Sequence, residues 1–191
     1  MFKALTFIII SMLINGCSPL AVGTSEITGI ALFNDRRPLG DIARDEQIEL
    51  AVNIELLSDS AISDLTHFNV TSFNGVVLIT GEAPGNAVRQ KITTLARRVS
   101  GVRLLQNHMV LAYPSSLSNR SNDSFITSKV KLKFSNSPNM PGFDSTRVKV
   151  VTENAQVFLM GLVHKKEAYI ATENARRVSG VKKVIKVFEY L

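Results

Sequence analysis

The side chain with the most informative chemistry is the thiol of Cys17, the only cysteine among 191 residues. It follows Leu13-Ile14-Asn15-Gly16, which places an aliphatic residue three positions before it and a small residue directly before it. Lys3 and the apolar run from Ala4 to Ile14 have the layout of an export signal, and the run is too short to span a bilayer. A lone cysteine in an oxidising compartment forms no internal disulfide, so a covalent modification explains it better than a structural role.

This segment resembles the lipobox of bacterial lipoproteins, in which a peptidase cleaves before a cysteine that accepts diacylglycerol. We therefore interpret residues 1–16 as a signal peptide and Cys17 as the site of covalent diacylglycerol and N-acyl lipid, with no other cofactor. Ser18 stands where, by analogy, an aspartate favours inner-membrane retention, so we expect lipid anchoring in the outer membrane, facing the periplasm. An ordinary signal peptide with a chance cysteine is the alternative.

Other residues capable of catalysis are scattered. His67, His108 and His164 are far apart in the chain and lack metal-ligand spacing. No Gly-x-Ser-x-Gly or phosphate-binding loop is present, and no pair of carboxylates stands out. The sequence predicts neither an enzyme nor a metal site.

The charge is unevenly divided along the chain. The net charge is +6 at pH 7, yet residues 1–119 carry −1 and residues 120–191 carry +7. A positive half-molecule favours an anionic surface, either nucleic acid or acidic lipid. For an exported protein we expect acidic lipid and no nucleic-acid partner.

A repeat divides the body into two parts. The heptapeptide Ala-Arg-Arg-Val-Ser-Gly-Val occurs at 96–102 and again at 175–181. Two copies of about 65–70 residues indicate a tandem pair of small domains, since a solenoid needs at least three units. Domains of this size are marginal alone, so we expect them to pack together. The predicted divisions after the signal peptide are a lipidated linker 17–44, a first module 45–112, a linker 113–122 and a second module 123–191.

Each copy shows the periodicities of helix, strand, strand, helix and strand. In the first copy, Ile48, Val52 and Leu56 recur every four residues, as in the buried stripe of a helix that begins at Asp45. Asn74-Gly75 is the pair favoured in a type I′ hairpin. The remaining predicted elements span 68–72, 76–81, 86–98 and 102–111, then 123–135, 147–152, 156–161, 165–177 and 181–190. The predicted fold class is α+β, with two αββαβ modules that each pack a three-stranded mixed sheet on two helices.

These elements resemble the BON family, a bacterial periplasmic module of αββαβ topology. With the lipobox, the chain is similar to dual-BON outer-membrane lipoproteins. The resemblance implies a non-catalytic protein that binds anionic phospholipid through its second module, accumulates at division sites, and supports outer-membrane integrity and the assembly of barrel proteins. The residues that carry the resemblance are Asp35-Arg36-Arg37, the helix-opening Asp45 and Asp123, the strand-ending Gly81 and Gly161, the Val-x-Gly-Val segments 99–102 and 178–181, and the stretch 152–163.

Helix 123–135 is predicted to have an apolar outer side in addition to its core stripe. At 100° per residue, Phe125 and Leu132 lie about 20° apart and nearly opposite the stripe of Ile126, Val130 and Phe134. An apolar ridge bordered by lysines is typical of a helix that lies in a lipid interface. The resemblance implies a tryptophan at position 125, and phenylalanine keeps the apolar bulk without the indole N–H. The predicted lipid-binding residues are Phe125, Ser128, Lys129, Lys131, Leu132 and Lys133.

Two alternatives to lipid binding remain open at this point. Phe125 and Leu132 could be buried against the other module or the linker, and the lysines could form a plain solvated face.

The expected lipid is phosphatidylglycerol or cardiolipin. The alternative function is a scaffold for the outer-membrane protein assembly machinery or a peptidoglycan-associated partner. The corresponding helix of the first module carries an acidic outer side that repels an anionic surface, formed by Glu46, Glu49 and Glu55.

Overall fold

The computed structural model describes residues 35–136 and 143–191; Cys17 and the predicted signal peptide lie outside these ranges. Within them, no helix is both long and apolar enough to cross a bilayer. The first module contains α1 (Leu39–Leu57), the short α2 (Ser60–Ser63), β1 (His67–Phe73), β2 (Val76–Ala83), α3 (Asn86–Arg98), β3 (Leu104–Asn107) and β4 (Val110–Leu111). The second contains α4 (Leu117–Ser135), a 3-10 turn (Ser145–Arg147), β5 (Lys149–Glu153), β6 (Gln156–Val163), α5 (Lys165–Arg176) and β7 (Lys183–Tyr190).

Both modules build the same mixed sheet around a central second strand. β2 pairs antiparallel with β1 and parallel with β3 and β4. β6 pairs antiparallel with β5 and parallel with β7. The hairpin turns are left-handed, at Asn74 and Gly75 (φ 53° and 71°) and at Asn154 and Ala155 (φ 53° and 60°). The predicted α+β class and αββαβ order are confirmed, whereas α2 and the break between β3 and β4 were not predicted.

The two sheets pack back to back, so each sheet is covered on both faces. One face of each sheet meets its own two helices through residues such as Ile79 in the first module and Leu159 in the second. The opposite faces meet each other in a third apolar cluster, formed by Phe73, Val76, Leu78, Phe158, Met160 and Val187. β2 is consequently buried along its whole length, and the expected packing between the modules is confirmed.

Polar contacts surround this apolar contact and fix the orientation of the modules. Since each joins a donor in one module to a carboxylate in the other, sliding of the sheets breaks several at once. The pairs are Lys149 Nζ with Glu49 (2.8 Å), Asn69 Nδ2 with Glu153 (2.7 Å), Asn154 Nδ2 with Glu82 (2.6 Å) and Asn74 Nδ2 with Glu189 (2.8 Å).

The two predicted helix-opening aspartates do not open helices. α1 begins after Pro38 and α4 after Ser116, so Asp45 and Asp123 lie inside them and are buried. Asp123 accepts hydrogen bonds from the turn amides of Asn154 and Ala155, both at 2.8 Å. Asp45 does the same at Asn74 (2.6 Å) and Gly75 (2.8 Å). Each carboxylate therefore ties its first helix to its hairpin, and part of both predicted linkers is helical.

The two predicted strand-ending glycines lie inside their strands. β2 continues to Ala83 and β6 to Val163. A Cβ at Gly81 would lie 2.0 Å from His67 O, and one at Gly161 would lie 2.4 Å from Arg147 O. Glycine is required because another backbone passes at these points.

Candidate functional site

Helix α4 is held with a fixed face towards solvent. Its N-cap Ser116 accepts a hydrogen bond from Asn119 N at 3.3 Å, and Ile126, Val130 and Phe134 are buried in the core of the second module. Its 19 residues span about 28 Å. Burial along one side leaves the opposite side as a straight outer face.

Phe125 and Leu132 lie on that outer face. Each is 61% exposed, so the alternative that they are buried against the other module or the linker is wrong. They are separated by about 10 Å along the helix axis. Two large apolar side chains two turns apart form what we call the α4 ridge, comprising Phe125 and Leu132.

The predicted lysines surround the ridge in two different ways. Lys131 and Lys133 are exposed on its two flanks. Lys129 is half-buried, since its Nζ donates to Ser179 O and lies 4.7 Å from the centroid of the Phe125 ring. This cation–π contact orients the ring while the cation stays beside it. Lys129 is thus a positioning group as well as a charge.

Ser128 is a small residue beside the ridge. It is exposed, and its hydroxyl donates to Ser124 O at 3.1 Å. That bond directs the hydroxyl onto the backbone of the preceding helical turn. The structure therefore places all six predicted residues on one helix, with Lys129 half-buried and the other five exposed.

Sequence reasoning missed one apolar residue of α4. Leu117 is exposed in the first helical turn, a region predicted as linker. The available signal was Ser116, a favoured N-cap residue directly before a leucine.

Sequence reasoning also missed an apolar stripe on the outer side of α1. Leu50, Ile54 and Leu57 are 61%, 58% and 57% exposed and follow the i, i+4, i+7 spacing of one helix face. We call these three residues the α1 stripe. The stripe lies opposite the core residues of α1 by helical geometry, and its apolar pattern could have been read from the sequence alongside the glutamates.

The predicted acidic side of α1 needs one correction. Glu46 and Glu55 are exposed, but Glu49 turns towards the second module. Its carboxylate accepts from Lys149 Nζ at 2.8 Å and from Ser72 N at 2.7 Å. Glu49 therefore helps to join the modules and does not border the α1 stripe.

The segment Asp35-Arg36-Arg37, which follows the predicted anchor, is clamped onto the folded body. Arg36 bonds both oxygens of Glu167 (2.7 and 2.9 Å) and Leu162 O (3.0 Å). Burial alone raises the pKa of Glu167, but hydrogen bonds from Arg36, His164 N and Arg147 outweigh it and lower the pKa to about 2. Arg36 is thereby fixed to the second module.

Arg37 makes the equivalent attachment to the first module. Its guanidinium lies 3.6 Å from the centroid of the Phe73 ring and donates to Asp45 at 2.5 Å. A second set of bonds joins it to Asp35. Adjacent arginines thus attach the start of the body to both modules.

Comparison with known proteins places this arrangement in a family. The BON domain model matches residues 44–113 and 122–191. The outer membrane lipoprotein DolP of Haemophilus influenzae is 34% identical over 181 residues, or 95% of this chain and 92% of that protein. A 21 kDa hemolysin of Actinobacillus pleuropneumoniae is 35% identical over 157 residues, or 82% of this chain and 79% of that protein.

Similarity to solved structures is weak. CdsD, a structural protein of the type III secretion system of Chlamydia trachomatis, is 16% identical with a TM-score of 0.30, over 77% of this chain and 63% of that one. A TM-score this low supports no inference about this chain, whereas the family model and the two relatives each match most of its length. The chain therefore belongs to the BON-domain family, as a two-module outer-membrane lipoprotein of the DolP type.

Proposed function

We propose that this lipoprotein is a non-catalytic membrane-docking protein, tethered by lipid on Cys17, which binds anionic phospholipid through the α4 ridge. The observation that carries the proposal is the exposure of Phe125 and Leu132 between Lys131 and Lys133 on one helix. Apolar bulk inserts among acyl chains while the lysines meet phosphate headgroups. Phosphatidylglycerol and cardiolipin supply the negative charge. Envelope integrity, at division sites in particular, is the role that this docking serves.

The expected strength follows from the exposed area. Burying the exposed part of Phe125 and Leu132 contributes about 1–2 kcal/mol each, and three lysines add about 1 kcal/mol each. A gross gain of about 5–7 kcal/mol corresponds to a dissociation constant of roughly 10–200 µM before the cost of association. Docking by the ridge alone is therefore weak, and the lipid anchor is needed to raise the local concentration.

The test is co-sedimentation of residues 18–191, which lack Cys17, with vesicles at high lipid concentration. We expect binding to phosphatidylglycerol- or cardiolipin-containing vesicles and not to phosphatidylcholine vesicles. Phe125→Glu should abolish that preference. Leu50→Glu is the matched control, because Leu50 has the same 61% exposure on the other module. Equal binding to both vesicle types, or unchanged binding of Phe125→Glu, contradicts the proposal.

A second candidate function, a protein-interaction scaffold, is favoured by the α1 stripe. Leu50, Ile54 and Leu57 form an apolar helix face, and the exposed Glu46 and Glu55 give the helix an acidic character. These charges repel anionic lipid, so the partner that fits is a periplasmic protein with an apolar surface bordered by lysine or arginine. The outer-membrane protein assembly machinery and peptidoglycan-associated proteins are the candidates.

The same pair of variants separates the two functions in cells. A photo-crosslinking residue at position 54 should give a discrete protein adduct that Leu50→Glu removes and Phe125→Glu leaves. A residue at position 132 should give lipid adducts with the opposite dependence. A single protein adduct from position 132, with none from position 54, contradicts both assignments.

A further inference from the structure

Three side chains with metal-binding atoms converge where the modules meet. His67 opens β1 and Glu82 lies near the end of β2, both in the first module, while Glu153 ends β5 in the second. One donor atom from each lies within 4.8 Å of the other two. The side chains of Glu82 and Glu153 are 2% and 5% exposed, and that of His67 is 16% exposed. The set is buried on the carboxylate side and open to solvent beside the imidazole.

The spacing of these atoms suits a small divalent ion. His67 Nδ1 is 3.1 Å from Glu82 Oε2 and 3.8 Å from Glu153 Oε1. Donors bonded to a tetrahedral Zn²⁺ at 2.0–2.2 Å lie roughly 3.3–3.6 Å apart. The two distances to the imidazole nitrogen straddle that range, and all three donor atoms lie within 4.8 Å of one another.

Hydrogen bonds from outside the set orient both carboxylates. Asn154 Nδ2 donates to Glu82 Oε1 at 2.6 Å, and Asn69 Nδ2 donates to Glu153 Oε2 at 2.7 Å. Each amide thereby holds the carboxylate oxygen that points away from the imidazole. The other oxygen of Glu82, Oε2, also accepts a hydrogen bond from Ser115 N at 3.1 Å. Outer hydrogen bonds of this kind fix ligand orientation in metal sites.

Glu153 is a buried carboxylate that lies beside the imidazole of His67. Its Oε1 lies 3.8 Å from His67 Nδ1, while its Oε2 accepts hydrogen bonds from Asn69 Nδ2 at 2.7 Å and from Thr80 Oγ1 at 3.4 Å. A charged carboxylate at a buried position is costly unless a cation lies beside it.

We propose that His67, Glu82 and Glu153 bind a divalent transition-metal ion, with Zn²⁺ as the representative, and that the ion fastens the two modules together. One imidazole nitrogen and two carboxylate oxygens are accepted zinc ligands, and the solvent side leaves a fourth position for water. Because one ligand comes from the second module, the bound ion stabilises the packing of the sheets. This proposal is independent of lipid docking, since the set lies away from the α4 ridge in sequence and uses none of its residues.

The test is zinc binding and thermal unfolding of the full chain, purified in detergent and freed of metal with a chelator. A ligand at 100 times its dissociation constant raises the folding equilibrium constant about 100-fold, which appears as a rise of several degrees in the unfolding midpoint. Glu153→Gln removes one donor with little change in shape. Glu189→Gln is the matched control. Glu189 also joins the modules, through Asn74 and Arg103, but it is not one of the three proposed ligands.

We expect saturable zinc binding and the same rise in midpoint for the wild type and Glu189→Gln. Glu153→Gln should lose at least about tenfold in zinc affinity. His67→Gln should do the same, and if that variant does not fold, Glu153→Gln decides alone. Absence of saturable binding to the wild type overturns the proposal. Equal affinity in the wild type and Glu153→Gln also overturns it, because the ion then lies elsewhere.

Discussion

Acidification should weaken the attachment of Arg36 to the second module through one carboxylate. Glu167 is buried, and its carboxylate bonds Arg36 at 2.7 and 2.9 Å and Arg147 at 3.0 Å. These bonds lower its pKa from an ordinary 4.5 to about 2. A lowered pKa in the folded state means that the contribution to stability is complete above pH 4.5 and is lost as the pH falls from 4.5 towards 2.

The magnitude follows from the size of that difference. At 1.36 kcal/mol per unit, it amounts to at most about 3 kcal/mol. Arg36 and Arg147 are 23% and 25% exposed, so solvent screening reduces the contribution to about 2–3 kcal/mol. This is a large share of the stability of an ordinary domain.

The measurement is urea unfolding of the wild type and Glu167→Gln at several pH values from 7 to 2.5. We expect Glu167→Gln to be about 2–3 kcal/mol less stable at pH 7, with the difference shrinking steadily below pH 4.5. Glu173→Gln is the control on the same helix, because Glu173 pairs with exposed Arg176 at 2.8 Å and should contribute under about 1 kcal/mol. A difference that does not change with pH, or one matched by Glu173→Gln, refutes the reasoning.

Three further substitutions test the packing. Gly161→Ala should destabilise the fold by more than about 1 kcal/mol in chemical denaturation, because its Cβ would lie 2.4 Å from a backbone oxygen, whereas Gly40→Ala, with nothing within 4 Å, should be neutral or stabilising. Asp123→Ala should speed hydrogen exchange at the amides of residues 154 and 155 and cost about 2–4 kcal/mol. Phe158→Ala should cost about 3–5 kcal/mol by opening a cavity between the sheets, while Phe125→Ala should change stability by less than about 0.5 kcal/mol.

The sequence predicted the elements whose pattern is local. Ile126, Val130 and Phe134 follow helical spacing, and burial of that stripe forces Phe125 and Leu132 outwards. The apolar ridge was therefore predictable from spacing alone. Asn74-Gly75 likewise specifies its hairpin turn, because both residues adopt positive φ.

Contacts between distant parts of the chain were not predictable in the same way. Asp45 looked like a helix start because aspartate is a common N-cap, and only its distance to the turn amides shows its role. The predicted start of α4 is six residues too late, because residues 117–122 carry no apolar periodicity.

The set of His67, Glu82 and Glu153 is the clearest case of a feature hidden from the sequence. Its members come from three strands, and one belongs to the other module. No spacing along the chain indicates such a set, since back-to-back packing of the sheets creates it.

The central claim is that the α4 ridge contacts anionic lipid. NMR of ¹⁵N-labelled residues 18–191, titrated with phosphatidylglycerol-containing bicelles, measures that contact at each amide. We expect saturable shifts centred on Phe125 to Leu132, absent with phosphatidylcholine bicelles and weakened in Phe125→Glu. Shifts centred on α1, or the same shifts with both lipids, contradict the claim.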